Sequence, residues 1–112
     1  MKQDKDANHL MAVRMLPCCV CWEDRSDMHR AAHHLRNIGD GNAGTGRKNA
    51  DRWVVPLCSS HHNSTNDSVH LSPMSEKAWF NKHMIDHVEL AKALYEASPH
   101  YQDMLNAMVR LR

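Results

Sequence analysis

Two short knuckles constrain this chain more than any other feature. Pro17-Cys18-Cys19-Val20-Cys21 lies near the start, and Cys58-Ser59-Ser60-His61 follows near the middle. Each places two soft ligands two residues apart, a spacing that lets both reach one tetrahedral ion. Together Cys18, Cys21, Cys58 and His61 make a Cys3His set suited to structural zinc. Cys19 is the competing ligand in the first knuckle, and the two-residue spacing favours Cys18. The chain has 112 residues with only one Phe, two Tyr and three Trp, so aromatic filling is thin. Domains of this size with weak cores often lean on a structural metal. Clustered thiols read as metal ligands in a reducing compartment and as disulfides outside it.

The compartment expected here is the cytoplasm. The first eight residues, Met1 to Asn8, are polar and mixed in charge, without the apolar stretch of a secretion signal. No apolar run approaches the roughly 20 residues that span a bilayer. A net charge of +1 gives no global field to attract nucleic acid, so any such surface must be local.

Taken in order, residues 1–9 read as a flexible tail and Leu10 to Leu16 as a short strand or extended lead-in. Glu23 to Asp27 is a polar turn. Met28 to Leu35 reads as a strand that carries His33-His34 near its end. Asn37 to Asn49 holds all four glycines and is the one long loop. Arg52 to Leu57 is a second strand, with Pro56 at its end. Ser72-Pro73 has the pattern of a helix cap, predicting a helix from Pro73 to about His83. A second helix is expected over Asp86 to Ala97, with Val88, Leu90, Ala91, Leu94 and Tyr95 as its apolar stripe. A third follows Pro99, from His100 to Leu111, with Tyr101, Met104, Leu105, Met108 and Val109 as packing residues. The expected architecture is α+β, one domain over residues 10–112.

Once His61 is given to zinc, His33, His34, His62 and His70 are left over. A metal-dependent nuclease needs a cation to neutralise the scissile phosphate and a base to activate water. Neutral imidazoles suit both tasks, because their pKa lies near operating pH.

At these residues the sequence resembles the HNH, or ββα-metal, endonucleases. The matching pieces are His33-His34, then Trp53 to Cys58, then His61-His62. More narrowly, Gly44-Thr45-Gly46-Arg47-Lys48, Asp51, Pro56-Leu57-Cys58-Ser59-Ser60-His61-His62 and Asp67-Ser68-Val69-His70 resemble small prophage nucleases related to the phage RecA-dependent nuclease. The resemblance covers about Pro17 to Ile85. It implies a ββα-metal core and a single-metal DNA endonuclease that leaves 5′-phosphate and 3′-hydroxyl ends. His34 would be the general base, and His33, His62 and His70 would hold a catalytic Mg²⁺, Mn²⁺ or Zn²⁺. Cys18, Cys21, Cys58 and His61 would hold the structural zinc. DNA is the implied partner, with a recombinase filament as a second one. The middle Asn of the family pattern has no clear counterpart; Asn49 and Asp51 are the nearest.

Two points of geometry follow. Adjacent strand residues face opposite ways, so His33 and His34 can share one phosphate only at a strand end or a bulge. A regular helix from His62 through His70 would separate the two by about 12 Å and would favour Asn66 as ligand instead. The polar run Asn63 to Ser68 favours turns, so the helix is expected to end early and bring His70 back.

The loop Gly41 to Asn49 nearly spells a Walker A motif, but its Lys falls one place late and Asn replaces the Ser or Thr. It reads better as a basic DNA-binding segment with Arg36, Arg47, Lys48 and Arg52. His83 and His87 are spaced i, i+4 without an accompanying Glu, and are read as structural along with His9, His29 and His100. Two rival functions stand beside the nuclease. One is a non-catalytic zinc-stabilised DNA- or protein-binding module. The other is a zinc hydrolase of small molecules, which would need an enclosed apolar pocket.

Overall fold

The computed structural model describes residues 5–23, 30–36 and 50–112. The protein is α+β, and its described elements run α1 (Ala7–Arg14), β1 (Arg30–His34), β2 (Val54–Cys58), α2 (Ser59–His62), α3 (Glu76–Lys82), α4 (His87–Ala97) and α5 (Tyr101–Leu111). The Gly-rich segment, with Arg47, Lys48 and Asn49, lies outside the described residues, as does His29.

The first element departs from expectation. The tail expected over residues 1–9 and the extended run over Leu10 to Leu16 give way to a helix from Ala7. The Asp6 carboxylate caps it by accepting from the His9 amide at 3.0 Å. Residues 1–4 lie outside the described residues. The helix is short and weakly amphipathic, so its fate is set by what it packs on. Val13 and Leu16 are fully buried, and α1 lies on both strands.

β1 and β2 pair antiparallel, from Arg30 opposite Cys58 to His34 opposite Val54. Every residue of β2 is buried. Pro56 stands in mid-strand opposite Ala32, not at the strand end. Proline is tolerated there because a two-stranded sheet leaves β2 an outer edge that needs no amide from residue 56. That edge is used instead by the first knuckle: the Cys19 amide donates to the Pro56 carbonyl at 3.0 Å.

α2 follows β2 directly and lasts four residues. The polar run after it behaves as its composition predicts. Ser64 and Thr65 hydroxyls donate back to the carbonyls of Ser59 and Ser60. The chain then reverses, with the Val69 amide donating to the His61 carbonyl at 2.8 Å and the His70 amide to that of His62 at 3.1 Å.

α3 starts three residues later than expected. Ser75, not Ser72, is its cap and accepts from the Ala78 amide. α4 and α5 match the expected helices to within a residue, α4 capped by Asp86. The core joins Val13 and Leu16 to Val54, Val55 and Leu57, then to Trp79, Phe80, Leu90, Leu94, Met104 and Met108. Met104 and Met108 are therefore packing residues, while Tyr101 and Val109 are exposed. No helix among the described residues is long and apolar enough to cross a membrane.

Candidate metal centres

The two knuckles converge. The ligand atoms of Cys18, Cys21, Cys58 and His61 all lie within 4.8 Å of one another. Atoms bound to one tetrahedral Zn²⁺ at about 2.0–2.3 Å sit roughly 3.3–3.8 Å apart. The separations here match: 3.3 Å from Cys58 Sγ to His61 Nδ1, 3.7 Å from Cys18 Sγ to the same nitrogen, and 3.8 Å between the Cys21 and Cys58 sulfurs. The last distance excludes a disulfide, whose sulfurs approach to about 2.05 Å. Cys19 stays outside the cluster, a buried thiol whose pKa burial pushes well up.

Local structure explains the convergence. After Cys18 the backbone closes a tight turn, with the Trp22 amide donating to the Cys18 carbonyl at 2.8 Å and Trp22 at φ 62°. The Val20 amide donates to Cys18 Sγ. Burial pushes the Cys18 thiol up, and burial with the neighbouring sulfurs pushes Cys21 up to about 12. Crowded thiolates are thus disfavoured without a cation, and a cation reverses that preference. Burial holds His61 below its ordinary value, leaving the neutral imidazole that a metal requires. This Cys3His cluster has the chemistry and spacing to hold a structural metal ion.

A second cluster forms a few ångströms along the same short helix. His33 from β1, His62 from α2 and His70 from the returning chain offer ring nitrogens within 4.8 Å of one another. His62 Nε2 and His70 Nε2 are 3.2 Å apart, and the His33 ring centroid lies 5.3 and 5.2 Å from those of His62 and His70. His62 is pushed down to about 4 by burial first, then by the charges of His33, His70 and Arg36. His70 is lowered for the same leading reason.

Glu76 completes this group, and the sequence contained nothing to reveal it. His33 Nε2 donates to Glu76 Oε1 at 2.7 Å, with both side chains nearly sealed from solvent. The other carboxylate oxygen accepts the Arg36 amide at 2.7 Å. Facing a carboxylate, Nε2 keeps the ring proton and Nδ1 keeps its lone pair, the arrangement typical of a metal-ligating histidine. α3 supports both clusters through one stripe of Glu76, Trp79, Phe80 and His83, spaced i, i+3, i+4, i+7. Glu76 and Phe80 touch His33, whereas Trp79 and His83 pack against His61.

His34 takes a different partner from His33, as strand alternation requires. It is the last residue of β1, and the register runs to it without a bulge. Its Nε2 donates to Asp51 Oδ1 at 2.8 Å, and Asp51 Oδ2 accepts the Asp6 amide at 2.7 Å. Of the two residues near the missing middle Asn, Asp51 is the one seen against His34. Asn66 is exposed.

Among the expected DNA-binding residues, Arg36 stands at the cluster, its Nη2 donating to His70 Nδ1 at 2.6 Å. Arg52 lies over the Trp53 ring and lines a shallow pocket with residues of α4. His9 and His87 have structural surroundings: His9 bonds Ser98 Oγ, and His87 stacks flat on Phe80 at 4.8 Å.

Comparison with known proteins gives few matches. The chain is 43% identical over 51 residues to the uncharacterized protein YdfU of Escherichia coli (strain K12); the match takes in 46% of this chain and 13% of that relative. No solved structure matches. A family model, described as Protein of unknown function (DUF968), matches residues 1–96, and the chain belongs to that family.

Proposed function

We propose that this protein is a metal-dependent DNA endonuclease of the HNH, or ββα-metal, kind. The observation that carries the reading is the histidine cluster. Three imidazoles, from β1, α2 and the returning chain, meet beside, and separate from, a Cys3His cluster. A structural role needs one such site; a second, built of nitrogen alone and partly open, suits catalysis. The order of an antiparallel strand pair followed at once by a short helix is also what the resemblance implies.

His33, His62 and His70 would hold the catalytic cation. Bound there, a divalent ion supplies charge neutralisation at the phosphoryl and leaving oxygens. Glu76 holds the His33 ring in the tautomer that leaves Nδ1 available. With His70 Nε2 as a ligand, that ring's proton would sit on Nδ1, and the Arg36 guanidinium now against this nitrogen would be free to pair with the phosphate. Asp51 fixes His34 with the proton on Nε2, and Nδ1 is then the atom that accepts a proton from water. A recombinase filament remains a partner implied by the resemblance alone.

The test pairs metal content with plasmid nicking. Elemental analysis should find zinc in every chain and a second divalent ion after loading with Mn²⁺ or Zn²⁺. Nicking should need that second ion and fall about 10²–10⁴-fold in His34→Ala. One metal per chain with no nicking would leave the zinc-stabilised binding module as the correct reading.

A further inference from the structure

His62 of the histidine cluster also lines a groove that no motif announces. Arg14, the last residue of α1, and Arg30, the first of β1, line it with Ser59, His62 and Asn63. Its volume is about 240 Å³. His62 therefore belongs to two environments at once, the metal cluster and this groove. The packing of α1 on β1 brings the two arginines together, and the Arg30 Nε donates to the Arg14 carbonyl at 3.0 Å. That bond fixes where the Arg30 guanidinium lies.

Among the described residues, the groove's polar side chains are two guanidiniums, a hydroxyl, a carboxamide and an imidazole, types that donate to phosphate oxygens. A third guanidinium, Arg36, lies against His70 of the same cluster. Cations thus stand beside two of the cluster's imidazoles, Arg14 and Arg30 in the groove with His62, and Arg36 at His70. A lone anion would need one of these positions. A chain of regularly spaced phosphates uses all of them.

We propose that this groove receives the phosphodiester backbone of DNA, with Arg14 and Arg30 holding the phosphate next to the one at the histidine cluster. The inference rests on the nuclease reading, and it moves the strand's path from the Gly-rich segment to the junction of α1 and β1. Arginine suits the position because its planar fork meets phosphate bidentately.

The test measures binding of a fluorescent duplex by anisotropy across a salt series. It uses metal-loaded full-length protein in a His34→Ala background, so that binding is read without cleavage. Arg14→Gln with Arg30→Gln should flatten the plot of log affinity against log salt by about one unit per arginine. Zinc content and melting temperature should stay unchanged. If the double variant does not fold, Arg14→Gln alone, at an exposed position, should flatten the plot by about one unit. An unchanged slope overturns the groove. Equal displacement of the duplex by poly-glutamate would also overturn it, by showing an acidic-peptide site. Nicking by the protein with His34 intact separates the two readings. Nicking with an unchanged slope sinks the groove and leaves the nuclease. A flattened slope without nicking keeps the groove and sinks the nuclease.

Discussion

Replacing Glu76 by Gln tests the histidine cluster at its most enclosed contact. The native carboxylate accepts two hydrogen bonds, from His33 Nε2 and from the Arg36 amide, each at 2.7 Å. The His33 and Glu76 side chains are 1% and 5% exposed, so water cannot replace either bond. A carboxamide has one acceptor oxygen, so it serves one donor and turns its own NH₂ toward the other. One buried donor is left unmatched, at a cost of roughly 1–3 kcal/mol. Glu76→Ala strands both donors and should cost about 2–6 kcal/mol on the same scale. Loss of an orienting partner also weakens metal affinity by about 10–100-fold, or roughly 1.4–2.7 kcal/mol. Isothermal titration of zinc-containing protein with Mn²⁺, before and after the change, reads the second effect directly. The Cys3His zinc should be retained in Glu76→Gln, since none of its ligands touches that side chain. Unchanged Mn²⁺ affinity in a folded Glu76→Gln protein would show that His33 is not oriented by this carboxylate for metal binding.

Four further outcomes follow from the same structure. Cys58→Ser should remove the structural metal and the folded state together, because zinc affinity in such sites, about 10–16 kcal/mol, is coupled to folding; retention of zinc and of the wild-type melting temperature would contradict this. His70→Ala should lose the second metal and nicking while Asn66→Ala keeps both, and the reverse pattern would place the ligand at Asn66. Phe80→Ala should destabilise by about 3–5 kcal/mol in chemical denaturation, since Phe80 is fully buried between His33 and His87. Burial holds His9 and His87 below their ordinary value of 6.5. The folded state thus stays neutral where the unfolded chain takes up protons, so stability should be full above about pH 6.5 and fall as pH drops below it. Melting temperatures from pH 8 to pH 5 should show that decline, and a flat profile would argue against it.

How much the sequence revealed depended on whether the signal was local. The Cys18–Cys21 and Cys58–His61 knuckles were readable because two-residue spacing is a rule of coordination, independent of the rest of the fold. α4 and α5 were readable because a buried stripe runs along each, Leu90, Ala91 and Leu94 in the first and Met104 and Met108 in the second. The early end of α2 followed from Asn63 to Ser68, whose side chains bond their own backbone. α1 was missed because its start depends on Asp6 and its survival on Val13 and Leu16 finding the sheet. Pro56 was misplaced because only the outer edge of β2, filled by Cys19, makes a mid-strand proline tolerable. Glu76 was invisible for a simpler reason. It lies 43 residues from His33, and no periodicity joins them.

The adjacency of His61 and His62 leaves the molecule no slack. Successive residues on a helix point about 100° apart, so one turn of α2 aims the first ring at the sulfurs and the second at His33 and His70. Neither ring can be re-aimed alone. A single residue inserted between them would rotate His62 by that same angle relative to His61 and break the contact of the Val69 amide with the His61 carbonyl. Filling the sulfur-lined centre would likewise orient the imidazole next door before any second ion arrives. Loading should therefore be ordered: protein stripped of zinc should take up no Mn²⁺ until zinc is restored, whatever the Mn²⁺ concentration within the range that saturates the intact protein.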